Sequence, residues 1–141
     1  PVASVEESYN ARFVGLEELL QESDFVTLHA PLTDETRHMI GERELGLMRK
    51  TAYLINTARG PLVDEKALVE ALKDGVIAGA GLDVYEDEPW LAPGLAKLPN
   101  AVLLPHLGSA TLETRSKMAE MAAGNVLAAL QGETPPNLVN L

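Results

Sequence analysis

Three kinds of polar side chain in this sequence stand where an apolar, strand-length run gives out. Arg59 follows Tyr53-Leu54-Ile55-Asn56-Thr57-Ala58, and Gly60-Pro61 then hands the chain to a helix starting near Asp64. The acids Asp83, Glu86, Asp87 and Glu88 close the run 76–84, and His106 closes Ala101-Val102-Leu103-Leu104. An open α/β sheet binds ligands just beyond the carboxyl ends of its strands. Residues distant in sequence can therefore meet along one edge. An arginine there offers a planar, permanently charged fork that matches a carboxylate at two points. A histidine, with an ordinary pKa of ~6.5, can exchange a proton with a carbonyl oxygen, and a carboxylate beside it favours the protonated ring. Together these groups suit carbonyl chemistry on an acid substrate.

Each group also has a plainer reading. Arg59 could be a solvated loop charge or a helix-end ion pair, His106 a loop histidine bonded to backbone, and Asp83 a strand-end turn former. His29 and His38 read as ordinary loop histidines, Glu86 and Asp87 as a solvated acidic loop, and Trp90 as a cover over apolar surface.

The elements that must position these groups alternate. Leucines 16, 19 and 20 recur at helical spacing over 15–22, and 25–29 reads as a short buried strand broken by Pro31. A helix over 42–49 turns Leu45 and Met48 inward. The helix over 64–75 is the clearest, with Asp64 as N-cap, Ala67, Leu68, Ala71 and Leu72 on one face, and Gly75 at a left-handed C-terminal position. The small, apolar run 76–84 reads as a strand buried on both sheet faces. After a proline-rich loop over 86–99 comes a short strand over 101–104. A long helix over 111–131 follows, with Ala119, Ala122, Val126 and Leu130 as an apolar stripe and Gly132 as terminator. Helix stripes and methionines read as core, and 137–141 as an extended tail. The alternation is that of a parallel α/β sheet, so the fold class is the C-terminal portion of a doubly wound, Rossmann-like domain plus a connecting helix. Domain limits of 1–111 and 112–141 follow.

Length and composition narrow the function. The 141 residues suffice for one core, and a net charge of −10 disfavours nucleic acid, which needs clustered positive charge. No run reaches the ~20 apolar residues of a membrane span, no signal peptide opens the chain, and cysteine is absent. A soluble, cytoplasmic protein without a metal is expected. The start on Pro1-Val2-Ala3, without methionine, reads as the middle of a loop in something longer. Gly79-Ala80-Gly81 mimics a dinucleotide fingerprint, but its third glycine would fall at Val84 and the run leads into a loop. Walker, zinc-ligand and G-x-S-x-G patterns are absent.

Three motifs occur in order: Asn56-Thr57-Ala58-Arg59-Gly60 with Val63-Asp64, Gly81-Leu82-Asp83-Val84-Tyr85 with Glu88-Pro89, and Pro105-His106-Leu107-Gly108-Ser109. With them the chain resembles the D-isomer-specific 2-hydroxyacid dehydrogenases. Ser109-Ala110-Thr111 with Glu113-Thr114-Arg115 is most similar to the glyoxylate/hydroxypyruvate reductase branch. The resemblance implies that Arg59 binds substrate, Glu88 pairs with the catalytic histidine and His106 donates the proton. It places Thr57, Ala58 and Arg59 under the nicotinamide of NAD or NADP, and Asp83 on its carboxamide. Residues 106–109, including Gly108 and Ser109, line the same cofactor, and Ala30 and Thr36 pass its phosphates. The implied reaction is reduction of a small 2-oxoacid, glyoxylate or hydroxypyruvate, to the D-2-hydroxyacid by a homodimeric parent. Phosphoglycerate or lactate dehydrogenases of the same family, or a non-catalytic NAD-sensing, corepressor-like module, remain alternatives.

The resemblance also sets the G-x-G-x-x-G turn upstream of Pro1, so the half-site here lacks a helix N-terminus for pyrophosphate. The purified 141-residue chain is therefore expected to oxidise little or no NAD(P)H with glyoxylate; turnover at an ordinary enzyme rate would contradict this.

Overall fold

The computed structural model describes residues 2–139. Pro1 and the end of the tail expected over 137–141 lie outside them. The chain divides into two compact units, Pro1–Pro105 and His106–Leu141.

The first unit opens with α1 (Ala3–Tyr9), for which the sequence offers no element and whose first residue reads as loop; it buries none of its residues and ends at Asn10 in the left-handed region. Helix α2 (Leu16–Glu22) leads into β1 (Phe25–Leu28), then α3 (Glu42–Leu47) and β2 (Tyr53–Asn56). A 3-10 turn over Gly60–Leu62 precedes α4 (Glu65–Lys73), β3 (Gly79–Leu82) and β4 (Ala101–Leu103). The four strands lie parallel in the order β1-β2-β3-β4. Their carboxyl ends therefore share one edge. Asp64 caps α4 by accepting from the N–H groups of Lys66 and Ala67, and Gly75 follows at φ 67°, both as expected from sequence.

Register explains how the core is divided. Val26, Leu28, Leu54, Asn56, Ala80 and Leu82 are buried, and helices supply Leu20, Leu45, Leu68 and Leu72 to the same cluster. The alternate positions of β1 and β2 are open: Phe25 is 71% exposed and stacks on Tyr53 with ring centroids 5.6 Å apart. The strand expected to be buried over 25–29 is thus buried on one face only, whereas β3, expected to be buried on both faces, has Gly79, Ala80 and Leu82 buried and Gly81 half-buried. At β1 and β2 only one sheet face is covered within the unit, because side chains alternate across a strand and the helices of this unit fill one side. The glycines of β3 fit the pattern. A Cβ on Gly79 would meet Asn100 O at 2.7 Å, and one on Gly81 would meet Ile55 Cδ1 at 3.1 Å. Gly79-Ala80-Gly81 is thus a strand packed flush against its neighbours, not a phosphate turn.

The second unit holds α5 (Leu112–Leu130), capped by Thr111, whose side chain accepts from Thr114 N–H. Gly132 follows at φ 76°. No residue of α5 is buried, so the stripe with Ala119, Ala122, Val126 and Leu130, and Met118 and Met121 beside it, do not form a core as expected. A single helix has no second layer of its own to pack against. The tail turns back instead of trailing away: Asn137 N–H donates to Asn125 Oδ1 at 3.1 Å, and Asn125 Nδ2 to Asn137 Oδ1 at 3.3 Å. Among the described residues, no helix is long and apolar enough to cross a membrane.

Gly60 sets the closest backbone approach. A Cβ there would lie 1.8 Å from Tyr85 O and 2.5 Å from Glu86 N. Gly60→Ala must push the two turns apart and is expected to destabilise the full-length protein by about 1–3 kcal/mol, as overpacking does, read as a lowered denaturant midpoint.

Candidate active site

Strand β2 ends on Asn56, which is 1% exposed. Its Nδ2 donates to Arg59 O at 2.9 Å, and its Oδ1 accepts from Ala58 N–H at 3.1 Å. One side chain thereby closes the turn Thr57-Ala58-Arg59 with both ends of its amide. Leu62 N–H also donates to Arg59 O, at 3.2 Å, so the turn passes straight into the 3-10 segment. In sequence, Asn56 stands out only as part of the motif around Arg59. The available signal was an amide residue at the end of an apolar run, a frequent turn former.

Arg59 is exposed, and its Nη1 donates to Ala58 O at 2.7 Å. Arg12, Arg43 and Arg49 all pair with carboxylates; Arg59 has no carboxylate partner among the described residues. It borders a cleft of about 630 Å³ between the ends of β1 and β2, lined also by His29, Ala30, Pro31, Leu32 and Ala58. The structure thus brings Ala30, Ala58 and Arg59 together, with Thr57 exposed on the same turn. Thr36 fastens the cleft's outer loop: its Oγ1 donates to Pro31 O at 2.7 Å and accepts from Thr33 N–H at 2.8 Å. His29 pairs with Thr27 Oγ1 at 3.0 Å.

The end of β3 forms the next stretch of this edge. Asp83 is buried, and its N–H donates to Asn56 O at 3.0 Å, extending the ladder one step past the strand. Tyr85 is buried and its hydroxyl donates to Leu104 O at 2.7 Å. Burial first, then the charges of Asp83 and Glu65, push its phenol above the usual range, which keeps it a donor. Glu88 is exposed, precedes a cis peptide bond to Pro89, and accepts from Tyr85 N–H through Oε1 at 3.2 Å.

Two plain readings need correction. Glu86 is not a solvated loop acid, and His38 does not bond only to backbone: Glu86 Oε1 and His38 Nε2 are 2.6 Å apart. The other Glu86 oxygen accepts from Glu65 N–H at 3.3 Å. No local pattern could have paired residues separated by 48 positions. Asp87 and Trp90 are exposed.

In the second unit, His106 is exposed and takes a left-handed φ of 57°. Gly108 is exposed and Ser109 half-buried. Ala110 N–H donates to Leu107 O at 2.9 Å, shaping the turn before α5.

Glu65 carries the clearest electrostatic cost. It is buried, and this desolvation raises its carboxyl above the ordinary value near 4.5. The Ala92 N–H, donating to its Oε2 at 2.8 Å, opposes the rise, while the charges of Glu86 and Asp87 add to it. The folded state therefore holds this proton to higher pH than the unfolded chain. Stability from this group is present below about 4.5 and is lost as pH rises through the folded value. Glu65→Gln keeps an acceptor for Ala92 and removes the titration. Its denaturant midpoint, relative to the parental protein, is expected to improve as pH increases from 4 to 8; a gap that does not change with pH would contradict this.

Comparison with known proteins identifies the family of the chain. Residues 1–108 match the family model described as D-isomer specific 2-hydroxyacid dehydrogenase, NAD binding domain. The glyoxylate reductase of Thermococcus litoralis is 60% identical over 135 residues, covering 96% of this chain and 41% of that protein. The crystal structure of the TT0316 protein from Thermus thermophilus superposes with a TM-score of 0.88 at 53% identity, over 92% of this chain and 42% of that one. A crystallised glyoxylate reductase from Paecilomyes thermophila gives a TM-score of 0.84 at 45% identity, over 95% and 40%. The chain thus spans about two fifths of the length of the relatives it matches.

Proposed function

The chain belongs to the D-isomer specific 2-hydroxyacid dehydrogenases, and from that premise we propose that its full-length protein is an NAD(P)-dependent reductase of a small 2-oxoacid, with glyoxylate or hydroxypyruvate as substrate. The observation that carries the reading is Arg59. It is a guanidinium without a carboxylate partner among the described residues, held by the Asn56 turn at the carboxyl edge of the sheet. In a chain with 21 acidic and 11 basic residues, leaving such a cation unneutralised suits an anionic ligand. The glyoxylate reductases at about 60% identity support the substrate class.

In this reading two N–H groups of Arg59 hold the substrate carboxylate and draw electron density from the adjacent carbonyl. His106 gives its proton to the carbonyl oxygen, and Glu88 keeps that imidazole charged and oriented. Ala30, Thr36, Thr57, Ala58, Arg59, Asp83, His106, Gly108 and Ser109 are the residues assigned to hold NAD or NADP. The bound nicotinamide supplies the hydride. The division at 1–111 and 112–141, the homodimer and the cytoplasmic location belong to the same reading, as the family resemblance implies.

The test is glyoxylate-dependent oxidation of NADH and NADPH by the full-length protein and its Arg59 variants. Two hydrogen bonds to a charged group, at about 1.5–3 kcal/mol each, correspond to a loss of roughly 10²- to 10⁴-fold in kcat/KM for Arg59→Ala. Arg59→Lys is expected to fall between, keeping the charge without the fork. Preference for pyruvate or phosphohydroxypyruvate would move the substrate to another branch of the family. Tight NADH binding without turnover would make the protein a sensor.

A further inference from the structure

Glu86 and His38 stand outside the cleft lined by Arg59, and the proposed chemistry uses neither. Their bonds nonetheless gather three separate segments of the first unit. Glu86 Oε1 meets His38 Nε2 at 2.6 Å, and Oε2 accepts from Glu65 N–H at 3.3 Å in the first turn of α4. His38 N–H in turn donates to Pro61 O at 2.8 Å, just past Arg59. The rung is extended by Ile40 N–H to Leu62 O at 3.1 Å and by Asp64 N–H to Ile40 O at 3.0 Å. One carboxylate therefore joins the loop around His38, the first turn of α4 and the turn that carries Glu88, and the backbone N–H groups of His38 and Ile40 join that loop to the turn after Arg59.

The contact is unlike a casual surface ion pair. Both side chains are partly withdrawn from solvent, at 39% and 29% exposure. His38 also holds a left-handed φ of 53°, uncommon for a residue with a Cβ. At the crossing point Gly60 lies so close to the Tyr85–Glu86 peptide that no side chain fits between them. The two turns are thus pressed together at Gly60 and tied together at Glu86. Small displacements of a binding group carry large rate penalties, so a fixed spacing between them has catalytic value.

We infer that Glu86, braced by His38, is a positioning residue: it sets the distance between the turn bearing Arg59 and the turn bearing Glu88. The inference rests on the reading of Arg59 as the substrate-binding group and Glu88 as the partner of the catalytic histidine. Because the bracket governs the placement of groups that act on the substrate, its loss raises the KM for glyoxylate and lowers kcat.

The test uses the full-length protein with glyoxylate and NADH, comparing Glu86→Ala, Glu86→Gln, His38→Ala and Arg59→Ala. Glu86→Ala is expected to lower kcat/KM for glyoxylate at least tenfold through both constants. Glu86→Gln, which keeps an acceptor for Glu65 N–H and an amide within reach of His38, recovers most of that loss. Should Glu86→Ala fail to fold, His38→Ala, which leaves the Glu65 bond intact, must show the same pattern in weaker form. Folded Glu86→Ala and His38→Ala proteins with parental kcat and glyoxylate KM, or a Gln variant no better than Ala, overturn the inference. If Arg59→Ala is inactive in that same series, the functional reading survives and the bracket alone is wrong. If Arg59→Ala turns over glyoxylate normally, the reading itself has failed and the inference falls with it.

Discussion

The two-ended hydrogen bond of the Asn56 amide is the constraint on which the candidate site depends. Where a parallel strand stops, its backbone donors and acceptors lose the ladder and must find partners. Asn56 supplies an acceptor to Ala58 N–H and a donor to Arg59 O from a side chain that is almost wholly buried. Because that side chain points into the core face of the sheet, its position is set by packing, and the turn inherits the precision of the strand. Its own carbonyl then accepts from Asp83 N–H, which links the end of β2 to the end of β3. Arg59 is thereby presented by rigid backbone, although its own side chain is exposed.

The remaining architecture follows from how little side chain the chain places where backbones must meet. Gly60 admits the Tyr85–Glu86 peptide, and Gly79 admits Asn100 O beside the ring of Tyr53. The Tyr85 hydroxyl closes the next gap along the edge by reaching Leu104 O. These contacts align three strand ends in the first unit without a large apolar core on both sheet faces. The opposite face, with Phe25 and Tyr53, stays open within this unit.

Electrostatics sharpens the same edge. The chain carries an excess of acid, and several of its acids accept from backbone N–H groups. Asp64 caps α4, Glu86 accepts from Glu65 N–H, Glu88 from Tyr85 N–H, and Glu65 from Ala92 N–H. Each such bond orders a turn near the sheet edge, and Arg59 is left with a carbonyl as its partner. Glu65 shows the cost of this arrangement, since burial disfavours its charged form.

What the sequence by itself determined is what a few neighbouring residues can encode. The alternation of strands and helices, the Asp64 cap, the left-handed glycines at 75 and 132, and the placing of Arg59 after a strand were all legible. So was the family, because its three motifs are local runs. Only the tertiary structure decided which sheet face is buried, that α5 lacks a core of its own, and that α1 is a helix. It alone revealed that Asn56 closes the Arg59 turn and that His38 meets Glu86. Periodicity, capping and turn chemistry act over one or two turns of chain, so they leave a visible pattern. A contact across 48 residues forms only when the sheet register brings two loops together, and neither loop carries a sign of the other.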